Sequence, residues 1–131
     1  MIFVDTNVFI YAVGGAHPLR VKARAFFRAH IAADSRRLVS SVEVMQELMH
    51  VYLPVGRSES LDAAMQLVND MMHEVWALLP ADVHHARGLF DAHPELSARD
   101  LVHMACCQRR GVKTIKTFDR KLAAAMGSGG R

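Results

Sequence analysis

Short apolar runs alternate along this chain with longer stretches in which apolar residues recur every three to four positions. The two periods, two for a strand and about 3.6 for a helix, predict different elements. Ile2–Val4, Arg37–Ser41, Val75–Leu79 and Thr114–Lys116 read as strands, each short, apolar or β-branched, and bounded by polar or turn residues. Helices are expected over Asn7–Val13, over Leu19–Ala33 with Pro18 at the first position, and over Val42–Leu53 ahead of the loop Pro54-Val55-Gly56. Further helices are expected over Glu59–His73 with Ser58 as cap, from Ala81 or Asp82 to Ala92, over Ala98–Arg110 between Ser97 and Gly111, and from an Asp119 cap to Met126. Strands alternating with helices predict an α/β fold, a sandwich in which helices surround a short, mainly parallel central sheet of four strands. Residues 1–126 are expected to form a single domain and 127–131 a disordered tail.

Composition narrows this picture. The chain has 131 residues, enough for one domain and one core. Being 51% hydrophobic and 22% charged, it is not a disordered chain by default. No apolar stretch approaches the roughly 18 residues of a membrane span. Met1–Asp5 lacks the basic segment that opens a secretory leader. The two cysteines, Cys106 and Cys107, are adjacent and poorly placed to pair with each other, as expected of a reducing cytoplasm. Neither C-x-x-C nor H-E-x-x-H occurs, and the neighbours His84 and His85 point in different directions on a helix, so a zinc site is not indicated.

Parallel α/β sheets bind ligands beyond the carboxyl ends of their strands. Four acids fall there. Asp5 follows the first strand, and Asp119 follows the last one in Thr117-Phe118-Asp119. Taken singly, each could simply cap the next helix. On the helix after strand two, Glu43 clusters with Gln46 and His50 on the polar face and reads as a solvated acid. Glu47 lies at the edge of the apolar face of Val44, Met45, Leu48 and Tyr52, where a carboxylate either needs a partner or reaches out to water. Ser97-Ala-Arg-Asp100 fits a capping box, yet Asp100 also borders the buried stripe of Met104 and Cys107, with Arg99, His103, Cys106 and Arg110 on the polar face. Carboxylates that converge repel one another and call for a cation, and oxygen-only ligands suit Mg²⁺ or Mn²⁺.

Val4-Asp5-Thr6-Asn7, Gln46-Glu47-Leu48, Ala98-Arg99-Asp100-Leu101-Val102-His103-Met104-Ala105 and Thr117-Phe118-Asp119, in this order and spacing, resemble the PIN-domain nucleases, and among them the VapC toxins of bacterial toxin–antitoxin pairs. The resemblance covers nearly the whole chain. It implies a metal-dependent endoribonuclease that hydrolyses structured RNA, such as tRNA or a ribosomal RNA stem-loop. Asp5, Glu47, Asp100 and Asp119 would be the catalytic acids, with Asp5, Asp100 and Asp119 as metal ligands, while Thr6, Asn7 and Thr117 would hold carboxylates or approach the phosphate. It also implies a VapB-type antitoxin partner and a homodimer. Methionines 45, 49, 65, 71 and 72 read first as core, with an apolar antitoxin groove as the family's other use for such residues.

The net charge of +3 then looks different. With four acids assigned to a metal site, 16 basic groups face 9 acidic ones, a balance nearer that of an RNA-handling protein. Arg109, Lys116 and Arg120 stand among the basic residues flanking Asp119 and are candidates for holding RNA phosphates, or equally for a solvated rim. Two other readings remain: a non-catalytic nucleic-acid-binding domain of the same fold, and a phosphohydrolase for a small substrate. The second lacks the DxD pattern of aspartyl-phosphate enzymes, since Asn7 follows Asp5 and Thr6.

Overall fold

A computed structural model describes residues 1–34 and 36–129. In chain order the elements are β1 (Ile2–Val4), α1 (Thr6–Val13), α2 (Pro18–Ala32), β2 (Leu38–Ser41), α3 (Val42–Tyr52), α4 (Ser58–Met71), β3 (Glu74–Trp76), α5 (Pro80–Leu89), α6 (Ala98–Arg109), β4 (Thr114–Lys116) and α7 (Arg120–Gly129). The expected α/β architecture is present, with a sheet that is parallel throughout among the described residues.

The strand order is β3-β2-β1-β4. After β1 the chain builds outward to β2 and β3, then crosses back so that β4 pairs with the other side of β1. Such a reversal opens a crevice at the carboxyl ends of the strands on either side of it. Here those ends lead into Asp5 after β1 and into Thr117 and Asp119 after β4.

β1 is buried on both faces. Phe3 and Val4 point to opposite sides of the strand, and both are fully buried. Phe3 stacks on Trp76 of β3 at 5.6 Å and lies 5.3 Å from the His103 ring of α6. Helices α1 to α4 pack on one another, as do α5 with α6 and α6 with α7. Burying both faces is what makes the strand read as a continuous apolar run.

Local chemistry explains most element ends. Pro18 opens α2 behind His17, whose Nδ1 accepts from Leu19 N. Gly111 takes φ +70° just past α6, a conformation that suits a residue without Cβ. Several boundaries differ from expectation. Ser58 is the first residue of α4 and not its cap; Arg57 holds that position without a side-chain bond. β3 starts earlier and ends at Trp76, because α5 already begins at Pro80, with the Asp82 carboxylate accepting from Leu79 N at 2.8 Å. The chain after Tyr52 tightens into a 3₁₀ turn over Leu53–Val55. α7 takes up residues 127–129 of the expected tail, and residues 130 and 131 lie outside the described ones. No helix among the described residues is long and apolar enough to cross a membrane.

Candidate active site

Asp5 is the first side chain past the buried end of β1 and is 4% exposed. It caps α1, its Oδ1 accepting from Thr6 N at 2.7 Å. Its Oδ2 accepts from the Thr117 hydroxyl, also at 2.7 Å, so the ends of β1 and β4 are joined through one carboxylate. Asn7 extends the join: its Nδ2 donates to Thr117 Oγ1 at 3.2 Å, and its Oδ1 accepts from Phe118 N at 3.1 Å. The Thr117 hydroxyl in turn accepts from Asp119 N. Asp5, Asn7, Thr117 and Asp119 are thus stitched into one unit across a gap of more than a hundred residues. The Thr6 hydroxyl is buried without a hydrogen-bond partner.

Asp119 caps α7, with Oδ1 accepting from Lys121 N and Leu122 N. The capping reading holds for Asp5 and Asp119, and in each the cap uses one carboxylate oxygen. Asp100 lies in the first turn of α6, where the Ser97 hydroxyl accepts from its backbone N–H at 3.2 Å. Burial raises the pKa of Asp100, and the carboxylates of Asp119 and Asp5 raise it further. Three acids therefore share one electrostatic neighbourhood. The pKa of Asp5 is raised as well, chiefly by burial, with nearby Glu47 adding to the effect and His103 and Thr117 opposing it.

Glu47 does find a partner. His103 Nε2 lies 2.6 Å from Glu47 Oε1 and 3.6 Å from Asp5 Oδ1. His103 is 1% exposed, which corrects its placement on the polar face of α6; Cys106 is likewise buried. Burial disfavours the imidazolium, but Glu47, Asp5 and Asp100 outweigh it, and the histidine pKa is raised. A carboxylate expected at the edge of an apolar face was the sign that a partner existed. The i, i+3 spacing of Asp100 and His103 was the sign of where to look. Glu43, expected to be solvated, is 13% exposed and faces Arg99 Nε at 4.0 Å.

The basic candidates separate. Arg109 belongs elsewhere: with Arg110 it holds the fully buried carboxylate of Asp82, linking the end of α6 to the start of α5. Lys116 Nζ lies 5.5 Å from the Phe26 ring and 5.2 Å from the Phe118 ring, next in sequence to Thr117. Arg120 is exposed beside Asp119. His84 and His85 are exposed, as expected, with His85 Nε2 2.7 Å from Gln108. Met45, Met65, Met71 and Met72 pack partly buried against the core, and Met49 is 43% exposed. The Cys106 thiol, pushed up to about 11 by burial and by Asp82, is unreactive at neutral pH.

Among the described residues, no group of three or more Asp, Glu, His or Cys side chains is arranged to hold a metal ion as it stands. The donor chemistry nonetheless fits a hard divalent cation. The donors are carboxylates, two of them with raised pKa, and His103 is the basic side chain in contact with Asp5 and Glu47.

Residues 2–127 match the PIN domain family. The chain belongs to that family. It is 58% identical to ribonuclease VapC23 of Mycobacterium tuberculosis, over 98% of this chain and 100% of that protein. It is 33% identical to ribonuclease VapC13 of the same species, over 92% of this chain and 91% of that one. Its PIN relatives by sequence are thus VapC ribonucleases. Among solved structures, VapC20 of M. tuberculosis, described as a sarcin–ricin loop cleaving toxin, superposes with a TM-score of 0.78 at 18% identity, over 95% of both chains. A toxin–antitoxin complex from Klebsiella pneumoniae gives 0.68 at 14% identity, over 94% and 91%. At those identities the two structures speak for the fold.

Proposed function

We propose that this PIN-domain protein is the toxin of a toxin–antitoxin pair, an endoribonuclease that cleaves structured RNA at the acidic centre with Mg²⁺ or Mn²⁺. The observation that carries the reading is that Asp5 and Asp119, which follow β1 and β4, both act on the Asp100 carboxylate, in a chain 58% identical to a ribonuclease VapC. Asp5, Asp100 and Asp119 would hold the cation, and Glu47 would act beside them from its bond to His103. Once bound, such an ion supplies charge neutralisation at a phosphodiester and acidifies water for attack at neutral pH.

The chain's own residues account for the rest. Asp5 is fixed by Thr6 N on one oxygen and by Thr117 and Asn7 on the other, which holds its carboxylate in one orientation. Asn7 holds the backbone after β4 against α1 and keeps Asp119 within the unit. Lys116 and Arg120, on the same β4–α7 connection, carry the positive charge that would meet RNA phosphates. His103 is 1% exposed and bonded to Glu47, which suits it to holding that acid rather than to moving a proton of the RNA. Water attack leaves a 5′-phosphate and a 3′-hydroxyl. In the cell, the proposal places the protein in the cytoplasm as a homodimer held in check by a VapB-type antitoxin.

The test is to incubate the purified, antitoxin-free protein with total cellular RNA and Mg²⁺ or Mn²⁺ and to map the ends. Discrete cuts bearing 5′-phosphates and abolished by EDTA are expected. RNA retained without cutting would favour a non-catalytic binding domain, and metal-independent cutting would overturn the metal assignment.

A further inference from the structure

We propose that His103 is a positioning residue of the acidic centre, holding Glu47 beside Asp5 from its Nε2. The inference rests on the metal reading above and names a device within that site. Its basis is geometric. Nε2 of His103 is 2.6 Å from Glu47 Oε1, a hydrogen bond, and 3.6 Å from Asp5 Oδ1, an ion-pair distance, while Nδ1 is buried with no hydrogen-bond partner among the described residues.

Glu47 comes from α3 and Asp5 from the β1–α1 junction, whereas His103 comes from α6, one turn after Asp100. The ring is fixed from behind by Phe3 of the central strand, at 5.3 Å. One imidazole thus bonds Glu47, lies at ion-pair range of Asp5, and links the two to the helix that supplies a third acid, with Oε1 of Glu47 committed to His103. Partners of this kind, behind a metal's ligands, fix ligand orientation, and their loss typically costs about 10- to 100-fold in metal affinity.

Isothermal titration of Mn²⁺ into the folded, RNA-free protein tests this without relying on activity. His103→Leu is expected to weaken Mn²⁺ binding by about 10- to 100-fold. His103→Gln, which retains a terminal N–H donor, is expected to recover most of the loss. In a Glu47→Ala background the His103→Leu change is expected to add little, because the two act as one unit. Equal Mn²⁺ affinity in wild type and a folded His103→Leu, or full additivity with Glu47→Ala, overturns the inference and leaves the metal reading standing. A wild type that binds no Mn²⁺ overturns both. Should His103→Leu not fold, ¹⁵N-histidine spectra of the metal-free wild type decide: a proton held on Nε2 and a resonance that moves on adding Mg²⁺ support the inference, and an Nε2 without a proton, or a resonance that stays put, overturns it.

Discussion

Asp5 and Asp82 are two buried aspartates, each in the first turn or cap of a helix that follows a strand, and their surroundings push them in opposite directions. Asp82 is fully buried, yet Arg110 and Arg109 both bond its carboxylate and Leu79 N donates to it, so its pKa lies well below the ordinary range in spite of burial. Arg110 also lies 5.0 Å over the Trp76 ring and donates to Ala77 O, so one ion cluster ties α5, α6 and the end of β3 together. Asp5 is held differently. It receives one backbone N–H and one hydroxyl at short range, lies near other acids, and its pKa is raised. A buried charge that is fully paired holds a fold together. One left beside like charges is costly to keep and marks a site that expects a further cation.

The comparison can be broken in several ways. The largest expected effect is on activity: Asp100→Asn should lower Mg²⁺-dependent RNA cleavage by about 100-fold or more with little change in Tm, as read by gel assay and thermal denaturation. A comparable loss of Tm would mean that Asp100 is structural. Next is stability at the other aspartate. Asp82→Ala should cost about 3 kcal/mol in chemical denaturation, the low end for breaking a buried pair, because Arg109 and Arg110 remain 33% and 21% exposed and can regain water.

The pH dependence follows with opposite signs. With a folded pKa below its unfolded value near 3.9, Asp82 contributes stability that is present above about pH 4 and lost as pH falls through the folded value. Asp82→Asn should therefore flatten the acid limb of a stability–pH curve. Asp5, with a raised folded pKa, binds its proton more tightly when folded, so stability falls as pH rises from about 4 through the folded value. Asp5→Asn should remove that decline, and denaturant melts across pH 3 to 7 distinguish the two. The smallest effect is at the rim. Arg120→Ala should weaken RNA binding several-fold and reduce the salt slope by about one, measured by anisotropy at graded salt.

Much of this was readable before any coordinates. The apolar run Ile2–Val4 marked the central strand, because a strand buried on both faces must be apolar throughout, as Phe3 and Val4 are, whereas at the sheet's edge the run Val75–Leu79 overshot a strand that ends at Trp76. Asp5, Asp100 and Asp119 could be placed because each follows an element end that the local pattern already marked. What escaped was pairing between distant segments. The helical wheel put His103 and Glu43 toward solvent, since a wheel cannot register that α3 and α6 carry acids and bases that face one another. Asp82 read as a helix opener and Arg109 as a phosphate contact for the same reason: a separation of 27 positions hides a buried ion pair. Lys116 was recognisable as a cation beside Thr117, but not as one packed near two aromatic rings.

The most direct measurement compares Asp5→Asn and Asp82→Asn side by side, scoring Mg²⁺-dependent RNA cleavage per folded molecule. The account predicts a folded, inactive Asp5→Asn and a less stable Asp82→Asn whose folded fraction cleaves RNA at close to the wild-type rate. Cleavage that survives in Asp5→Asn, or that is lost from fully folded Asp82→Asn, would contradict the division of this protein into an acidic centre that acts and an ion cluster that holds.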